Sequence, residues 1–140
     1  MKTLYIESSA ILAWLLGEPK ANLVIKAIDS AEVVVSSVLS ILETERALIR
    51  AEKQNQISEA DAQRLLGLFS NTMLDWAFLE ITETVRRRAA LPFPVEPVRS
   101  LDGIHLASML EFLQVYPKME ILTFDHRIIE NIRPLGLTLV

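Results

Sequence analysis

Short apolar runs alternate along the chain with longer segments in which apolar residues recur at helical spacing. The runs TLYI, EVVVSS, AFLEI and EILTF are rich in β-branched or aromatic residues and are bounded by polar ones, as strands are. Between them, the spacing of apolar residues is typical of helices with one buried face. The pattern therefore predicts βαβ units, an α/β fold and a central, mainly parallel sheet.

The predicted helices have recognisable starts and ends. Ser8 or Ser9 is predicted to cap a first helix over AILAWLL, which Gly17 ends, and Pro19 is predicted to lie in the first turn of a second helix. A long amphipathic helix is predicted from Val38 to Lys53. The remaining predicted elements are helices from Glu59 to about Asp75, from Thr84 to Ala90, over LDGIHLASMLEFLQVY with Ser100 as its cap, and over HRIIENI, with LTLV as a final edge strand.

Composition narrows the class of protein. The 140 residues, 51% of them hydrophobic, fit a single domain with an ample core, and the remaining apolar surface is expected to meet a partner or a second copy. The absence of cysteine excludes disulfides, thiolate zinc sites and cysteine nucleophiles. A net charge of −4 argues against unspecific nucleic-acid binding through basic patches, but not against cleavage of nucleic acid.

The N-terminal apolar run does not predict export or membrane insertion. Glu7 interrupts it, and no small-residue cleavage site follows. The longest uncharged stretch there is about half of the roughly 20 residues that a membrane helix needs. A cytoplasmic protein with no membrane association is therefore expected.

Four acidic residues fall where this fold delivers side chains to one edge of the sheet. Glu7 and Asp125 end strands, Asp102 starts a helix, and Glu43 lies inside the long helix. In open parallel sheets the carboxyl ends of the strands carry the ligands. Converging carboxylates repel one another unless cations offset the repulsion, and their oxygens suit Mg²⁺ or Mn²⁺. Two such ions about 3.5–4 Å apart activate water against a phosphodiester, so the pattern suggests metal-dependent hydrolysis of RNA or DNA.

Each acid also has an interpretation that needs no metal. Asp102 suits the dipole of a first helical turn, Asp125 suits a turn or a cap, and Glu43 suits a solvated helix face. Glu7 has the strongest individual case, because a charge that ends a buried strand is costly unless it is used. From the residues alone, a shared metal site and separate structural roles both stay open.

Other polar residues carry weaker signals. His105 lies one helical turn after Asp102 and can face the acids, but within an apolar helical segment it is interpreted first as an ordinary helix residue. Arg127 adjoins the predicted site and is the better candidate for a phosphate contact. The consecutive Arg86–Arg88 cannot share one side of a helix and are typical of a solvated face.

At these positions the chain resembles the PIN domain family, particularly the toxin nucleases of VapBC toxin–antitoxin modules. YIESSAI resembles the opening strand, SSVLSILETERAL the second motif with Glu43 at its acidic position, SLDGIHLAS the third with Asp102, and LTFDHRI the fourth with Asp125. The last two motifs are the specific ones, and the similarity runs nearly end to end. The hydroxyls of Ser9 and Thr123 match family positions that help to hold the acids.

The resemblance implies a three-layer α/β/α PIN-like fold, a Mg²⁺- or Mn²⁺-dependent endoribonuclease that uses all four acids, a homodimer, and an antitoxin that blocks the site. One position departs from the family, which has aspartate where this chain has Glu7. The extra methylene moves the carboxylate by more than the ~0.5 Å tolerance of a catalytic constellation unless the backbone adjusts. Two hypotheses follow: an active ribonuclease, and a degenerate PIN domain with weak or no nuclease activity that binds a protein.

A receiver-type phosphoacceptor domain is a third α/β fold with an acidic magnesium site. Such domains resemble one another in having paired acids after the first strand and a lysine that ends a late strand. Here Glu7 is followed by Ser8, and LTFD ends in Asp125, so this hypothesis fits the chain poorly.

Overall fold

The computed structural model describes residues 1–140 and contains five strands and seven α-helices. The strands are β1 (Thr3–Ile6), β2 (Val33–Ser37), β3 (Ala77–Leu79), β4 (Glu120–Leu122) and β5 (Thr138–Leu139). The helices are α1 (Ser8–Leu15), α2 (Ala21–Ser30), α3 (Val38–Lys53), α4 (Glu59–Thr72), α5 (Glu83–Ala89), α6 (Ser100–Val115) and α7 (His126–Ile132). A short 3₁₀ turn, Met73–Asp75, follows α4.

The five strands form one sheet in the order β3-β2-β1-β4-β5, and every neighbouring pair is parallel. From the central β1 the chain moves to one edge through β2 and β3, and then returns to the other side of β1 for β4 and β5. In such sheets a crevice opens outside the carboxyl ends of the strands where the order reverses, here between β1 and β4. The predicted α/β fold is confirmed, and its sheet is wholly parallel.

Successive residues of a strand enter two different cores, because side chains alternate across a sheet. Leu4 and Ile6 pack in a cluster with residues of α1 to α4, among them the fully buried Leu48. Tyr5, between them, packs on the opposite face with residues of α6 and α7, such as Ile128. The sheet is therefore the middle layer of the predicted three-layer α/β/α arrangement.

The start of α1 differs from the prediction. Ser8 and Ser9 are the first two helical residues, and the cap is Glu7, whose carboxylate accepts the backbone N–H of Ser9 at 3.1 Å. Glu7 has extended backbone, which suits both the end of a strand and a helix cap. One of the predicted site residues therefore also fixes the turn from the first strand to the first helix.

Two other helix starts also differ from the prediction. Pro19 precedes α2 rather than lying in its first turn, because the N–H of Ala21 first closes a turn onto the carbonyl of Glu18. Ser100 is the first residue of α6 and not its cap, since Arg99 holds that position without a side-chain hydrogen bond. None of the seven helices is both long enough and apolar enough to span a membrane.

Candidate metal centre

Glu7 is buried at the end of β1, with 4% of its surface exposed. Its Oε1 accepts hydrogen bonds from Ser9 Oγ at 2.6 Å and Thr123 Oγ1 at 2.7 Å. Its Oε2 accepts from Ser8 Oγ at 2.7 Å and from the Ser9 N–H at 3.1 Å. Burial by itself raises the pKa of Glu7, but the charge of His105 and the three hydroxyls outweigh it, so the pKa is lowered. These four donors occupy the roughly four lone-pair sites of a carboxylate.

The hydroxyls that surround Glu7 also tie the ends of β1 and β4 together. Ser9 Oγ accepts the backbone N–H of Phe124 at 2.9 Å, and Thr123 Oγ1 accepts that of Asp125 at 3.1 Å. Ser9 can do this because it lies at the start of a helix directly after the strand, where a short side chain reaches back to the sheet edge. The segment that carries Asp125 is thereby fixed relative to Glu7.

A buried histidine holds the second acid. His105 Nε2 lies 2.6 Å from Glu43 Oε1, and His105 Nδ1 lies 2.9 Å from the Tyr5 hydroxyl oxygen. An ionised carboxylate only accepts, so Nε2 carries the proton of its bond to Glu43, and the Tyr5 hydroxyl is the hydrogen-bond partner of Nδ1. Burial and then repulsion from Glu7 raise the pKa of Tyr5, which stays a hydroxyl. Ser8 Oγ also contacts Glu43 Oε1, at 3.1 Å, so Glu43 Oε2 is left without a protein partner.

Asp102 and Asp125 line an open pocket of about 640 Å³ together with Glu43. Asp125 caps α7, and its Oδ1 accepts the N–H groups of Arg127 and Ile128 at 2.9 and 3.2 Å. Its second oxygen is free of protein hydrogen bonds. Asp102, in the first turn of α6, has no hydrogen-bond or ion-pair partner among the protein side chains. Three carboxylates thus present unused oxygens to the same pocket.

The electrostatics of this pocket favour a cation. Burial first, and then the charges of Asp125 and Glu7, raise the pKa of Asp102, while His105 and Arg127 partly offset the rise. A bound divalent ion relieves this repulsion and takes hard oxygen ligands of the kind that these carboxylates offer. The carboxylates that line the pocket offer the hard oxygen donors that Mg²⁺ or Mn²⁺ takes.

A second group of possible ligands lies deeper. The ligand atoms of Glu7, Glu43 and His105 lie within 4.8 Å of one another. However, Glu7 has its four donors, and the Nε2 proton of His105 is directed at Glu43. Both would have to release a hydrogen bond before they coordinated an ion. We therefore assign this group to the support of the pocket carboxylates.

Comparison with known proteins identifies the family and supports the fold. The PIN domain model matches residues 4–133. The chain belongs to the PIN domain family. Its fold is also similar to that of a chain in the crystal structure of VapBC2 from Rickettsia felis bound to a DNA fragment from their promoter, with a TM-score of 0.60 and 9% identity over 99% of this chain and 97% of that chain. At that identity the similarity concerns the fold alone. A comparison with curated proteins finds no match.

In this PIN domain the four predicted acids lie around one crevice, although in two layers. Glu7 lies in the buried layer, Asp102 and Asp125 lie at the pocket, and Glu43 joins the two layers through its two oxygens. His105 was interpreted first as an ordinary helix residue, and the structure places it facing the acids, with its ring bonded to Glu43 and Tyr5. Its spacing of one turn from Asp102, which places both on one helix face, was the available signal.

Proposed function

We propose that this PIN domain is a metal-dependent endoribonuclease of the VapC toxin type. The observation that carries the proposal is the set of unused oxygens of Glu43, Asp102 and Asp125 on one open pocket. Mg²⁺ or Mn²⁺ bound there would act as a Lewis acid that activates water and stabilises charge on a phosphodiester. Membership of the PIN domain family supports nuclease chemistry over other chemistry at phosphate.

The side chains of the site have distinct proposed roles. Glu43 is oriented by His105, so that its free oxygen faces the pocket. Asp102 and Asp125 are oriented by the first turn of α6 and the cap of α7. Glu7 maintains the positions of Ser9 and Thr123 and becomes an ion ligand only where a hydroxyl releases one of its oxygens. Arg127, whose charge acts on Asp102, offers a contact to phosphate.

The test is cleavage of a mixed pool of structured RNA by the parent and by Asp102→Asn, with Mg²⁺, Mn²⁺ or EDTA. The parent is expected to cleave with either ion and not with EDTA. Asp102→Asn keeps the shape of the side chain but loses its charge, and its rate should fall by about 10²-fold or more. Asp29→Asn, at an exposed position on α2, is the matched control and should cleave like the parent.

A second function, that of a degenerate PIN domain that binds a protein, is favoured by one observation. Both oxygens of Glu7 are occupied by protein donors, so the residue that replaces the usual aspartate offers no free oxygen to an ion. The variant Glu7→Asp separates the two functions. If the parent is an active enzyme, the change leaves its rate near that of the parent. A rise from no detectable cleavage to robust cleavage would show that the parent is the degenerate form.

We further propose that this PIN domain forms a homodimer and is inhibited by a cognate antitoxin in the cytoplasm. The structural neighbour from Rickettsia felis was solved as VapBC2 on promoter DNA, which supports a protein partner. Large apolar side chains beside the site, Leu42 at 56% and Leu101 at 50% exposure, are of the kind that an inhibiting antitoxin covers. Light scattering of the purified chain at several concentrations measures the oligomeric state. A monomer at all concentrations would reject the dimer.

A further inference from the structure

Two pairs of arginines flank the acidic crevice. Arg99 and Arg127 line the pocket that contains the acids. On the other side of Glu43, a second cavity of about 420 Å³ is lined by Arg46 and Arg50 of α3. Glu43 and Leu101 line both cavities. The two cavities therefore adjoin and form one groove that passes over the acids, which we call the arginine groove.

The four groove arginines form no ion pairs, although the chain has 18 acidic against 14 basic residues. The side chains that do form ion pairs with carboxylates are Lys2, Lys53, Arg64, Arg87 and His105. A free guanidinium offers a planar set of donors that matches phosphate. Four of them along one groove of an acidic protein are thus available to an anionic ligand.

Each helix that supplies an acid to the pocket also supplies groove arginines within about two turns of it. Arg46 and Arg50 follow Glu43 on α3 and lie one turn apart on the same helix side. Arg99 is the cap residue of α6, which carries Asp102 in its first turn. Arg127 follows Asp125 at the start of α7. The elements that fix the acids thereby fix the arginines as well.

The loop that leads to Arg99 is anchored to α7. Asn131, fully buried, accepts the N–H of Val95 at 2.8 Å and donates to its carbonyl at 2.9 Å. Since α7 also carries Arg127, the two arginines at this end of the groove belong to one connected unit.

We propose that the arginine groove binds a single-stranded segment of RNA, with backbone phosphates at Arg99 and Arg127 on one side of the acids and at Arg46 and Arg50 on the other. This inference rests on the proposed function, because an endonuclease must hold the strand on both sides of the bond that it cleaves. Both cavities have the volume of a small-ligand site, which fits individual nucleotides of a single strand. Leu42 and Leu101 offer apolar surface to unstacked bases.

The test measures binding of a short single-stranded RNA by fluorescence anisotropy with Mg²⁺ at several salt concentrations. All proteins carry Asp102→Asn, so that the RNA stays intact. One arm adds Arg46→Ala with Arg50→Ala, and another adds Arg99→Ala with Arg127→Ala. The control adds Arg133→Ala, an exposed arginine at the far end of α7 that lines neither cavity.

Each double variant is expected to bind RNA more weakly. It should also reduce the slope of log K against log salt by about 1.4, which is about 0.7 for each lost phosphate contact. Arg133→Ala should change neither quantity. A duplex of the same length should bind more weakly than the single strand to the protein without arginine substitutions.

Either double variant with unchanged affinity and slope would overturn the proposal. If only the variant with Arg46→Ala and Arg50→Ala keeps its RNA affinity and salt slope, we would assign that half of the groove to a protein partner instead of RNA. The proposed function fails separately from the groove. Arginine-dependent binding without cleavage by the parent would reject the nuclease and support the groove, whereas cleavage with arginine-independent binding would reject the groove alone.

Discussion

At the scale of single residues, the site is defined by which lone pairs the protein already uses. Glu7 accepts four hydrogen bonds and has no free oxygen, whereas Glu43 uses one oxygen and presents the other to the pocket. The carboxylate that is most buried is thus the one best supplied with donors, which compensates its desolvation. The catalytic chemistry that we propose depends on the more exposed acids, and Glu7 maintains their arrangement.

Replacing Glu7 by glutamine should destabilise the protein at neutral pH. An amide offers only one accepting oxygen, so two of the four donors lose their acceptor, at a cost of about 1–3 kcal/mol for each group left unpaired. The lowered pKa of Glu7 determines how its contribution to stability changes with pH. Ionised Glu7 stabilises the fold at any pH above the ordinary carboxyl pKa, and this stabilisation is lost as the pH falls through the lowered value. Urea unfolding of parent and Glu7→Gln should therefore converge in acid. A difference that stayed constant with pH would contradict this.

Tyr5→Phe should reduce the rate of RNA cleavage, although the hydroxyl that it removes contacts His105 and not the RNA. The ring still packs, but Nδ1 of His105 loses its partner, and His105 then holds Glu43 less firmly. We expect a fall in kcat of about 10-fold with little change in KM, the effect of losing a group that orients a ligand.

NMR of the His105 ring nitrogens provides a readout of Tyr5→Phe that does not depend on activity, because the chemical shift of Nδ1 should change when Nδ1 loses its hydrogen bond to the Tyr5 hydroxyl. Tyr116→Phe, which keeps the contact with the Phe112 ring, is the control. An unchanged kcat in Tyr5→Phe together with an unchanged Nδ1 chemical shift would remove Tyr5 from this role.

The limits of sequence reasoning at this scale follow from distance along the chain. Glu7, Asp102 and Asp125 are predictable because each stands at the boundary of an element whose pattern is local. The bond between Thr123 and Glu7 joins residues that are 116 positions apart, and the bond between His105 and Glu43 joins residues that are 62 apart. No periodicity encodes such contacts, so they were accessible only through resemblance or structure.

At the scale of elements, α6 must approach α5 closely to place its first turn at the pocket. Gly103, directly after Asp102, permits this approach, since a Cβ there would lie 3.2 Å from the carbonyl oxygen of Ala89. The position of Asp102 therefore depends on the absence of a side chain at the next residue.

The close packing of α6 on α5 can be tested by comparing alanine substitutions at two glycines. Gly67→Ala, in α4, adds a Cβ with no atom within 4 Å and should stabilise the protein by about 0.5–1 kcal/mol through helix propensity. Gly103→Ala gains the same propensity but contacts the Ala89 carbonyl, so it should be less stable than Gly67→Ala and should cleave RNA more slowly. Thermal unfolding and cleavage rates measure both effects. Equal stabilisation by the two changes would show that α5 can move away from the added Cβ without loss of stability.

Element boundaries were predictable where one local signal acts alone. The bounds of α3, Val38–Lys53, match the prediction. The start of α1 was not predictable, because Glu7, Ser8 and Ser9 all offer oxygens there, and the tertiary contact with Thr123 decides which of them serves as the cap.

At the scale of the whole molecule, the sheet order determines where the site lies. β1 is central, and its carboxyl end lies beside that of β4 at the point where the order reverses. Alternating strands and helices predicted a parallel sheet but not this order, because the period of a pattern does not specify which strands become neighbours. The site thus connects the two halves of the sheet.

Metal binding should therefore stabilise the entire fold. Mg²⁺ that binds only the folded state adds about 2.7 kcal/mol at a concentration of a hundred times Kd. At roughly 2–4 °C per kcal/mol for a chain of this size, the Tm measured by calorimetry should rise by several degrees over that in EDTA.

Asp102→Asn should respond differently to Mg²⁺. The raised pKa of Asp102 means that its ionised form destabilises the fold at neutral pH. In EDTA the free energy of unfolding of the variant should therefore be equal to that of the parent or slightly higher. The difference should stay below about 1 kcal/mol, because solvent screens the repulsion. The variant's gain in Tm from Mg²⁺ should be smaller. An equal gain in both proteins would place the ion elsewhere.

The hydrogen bond between Thr123 and Glu7 also indicates when the site of a newly made chain can be complete. Thr123 is synthesised 116 residues after Glu7, a delay of roughly 6 to 23 s at about 5–20 residues per second. Throughout that interval the nascent chain lacks Asp125 and the strand that anchors it beside β1. If the chain is the ribonuclease that we propose, it remains harmless to the messenger RNA and the ribosome that produce it until β4 has been translated.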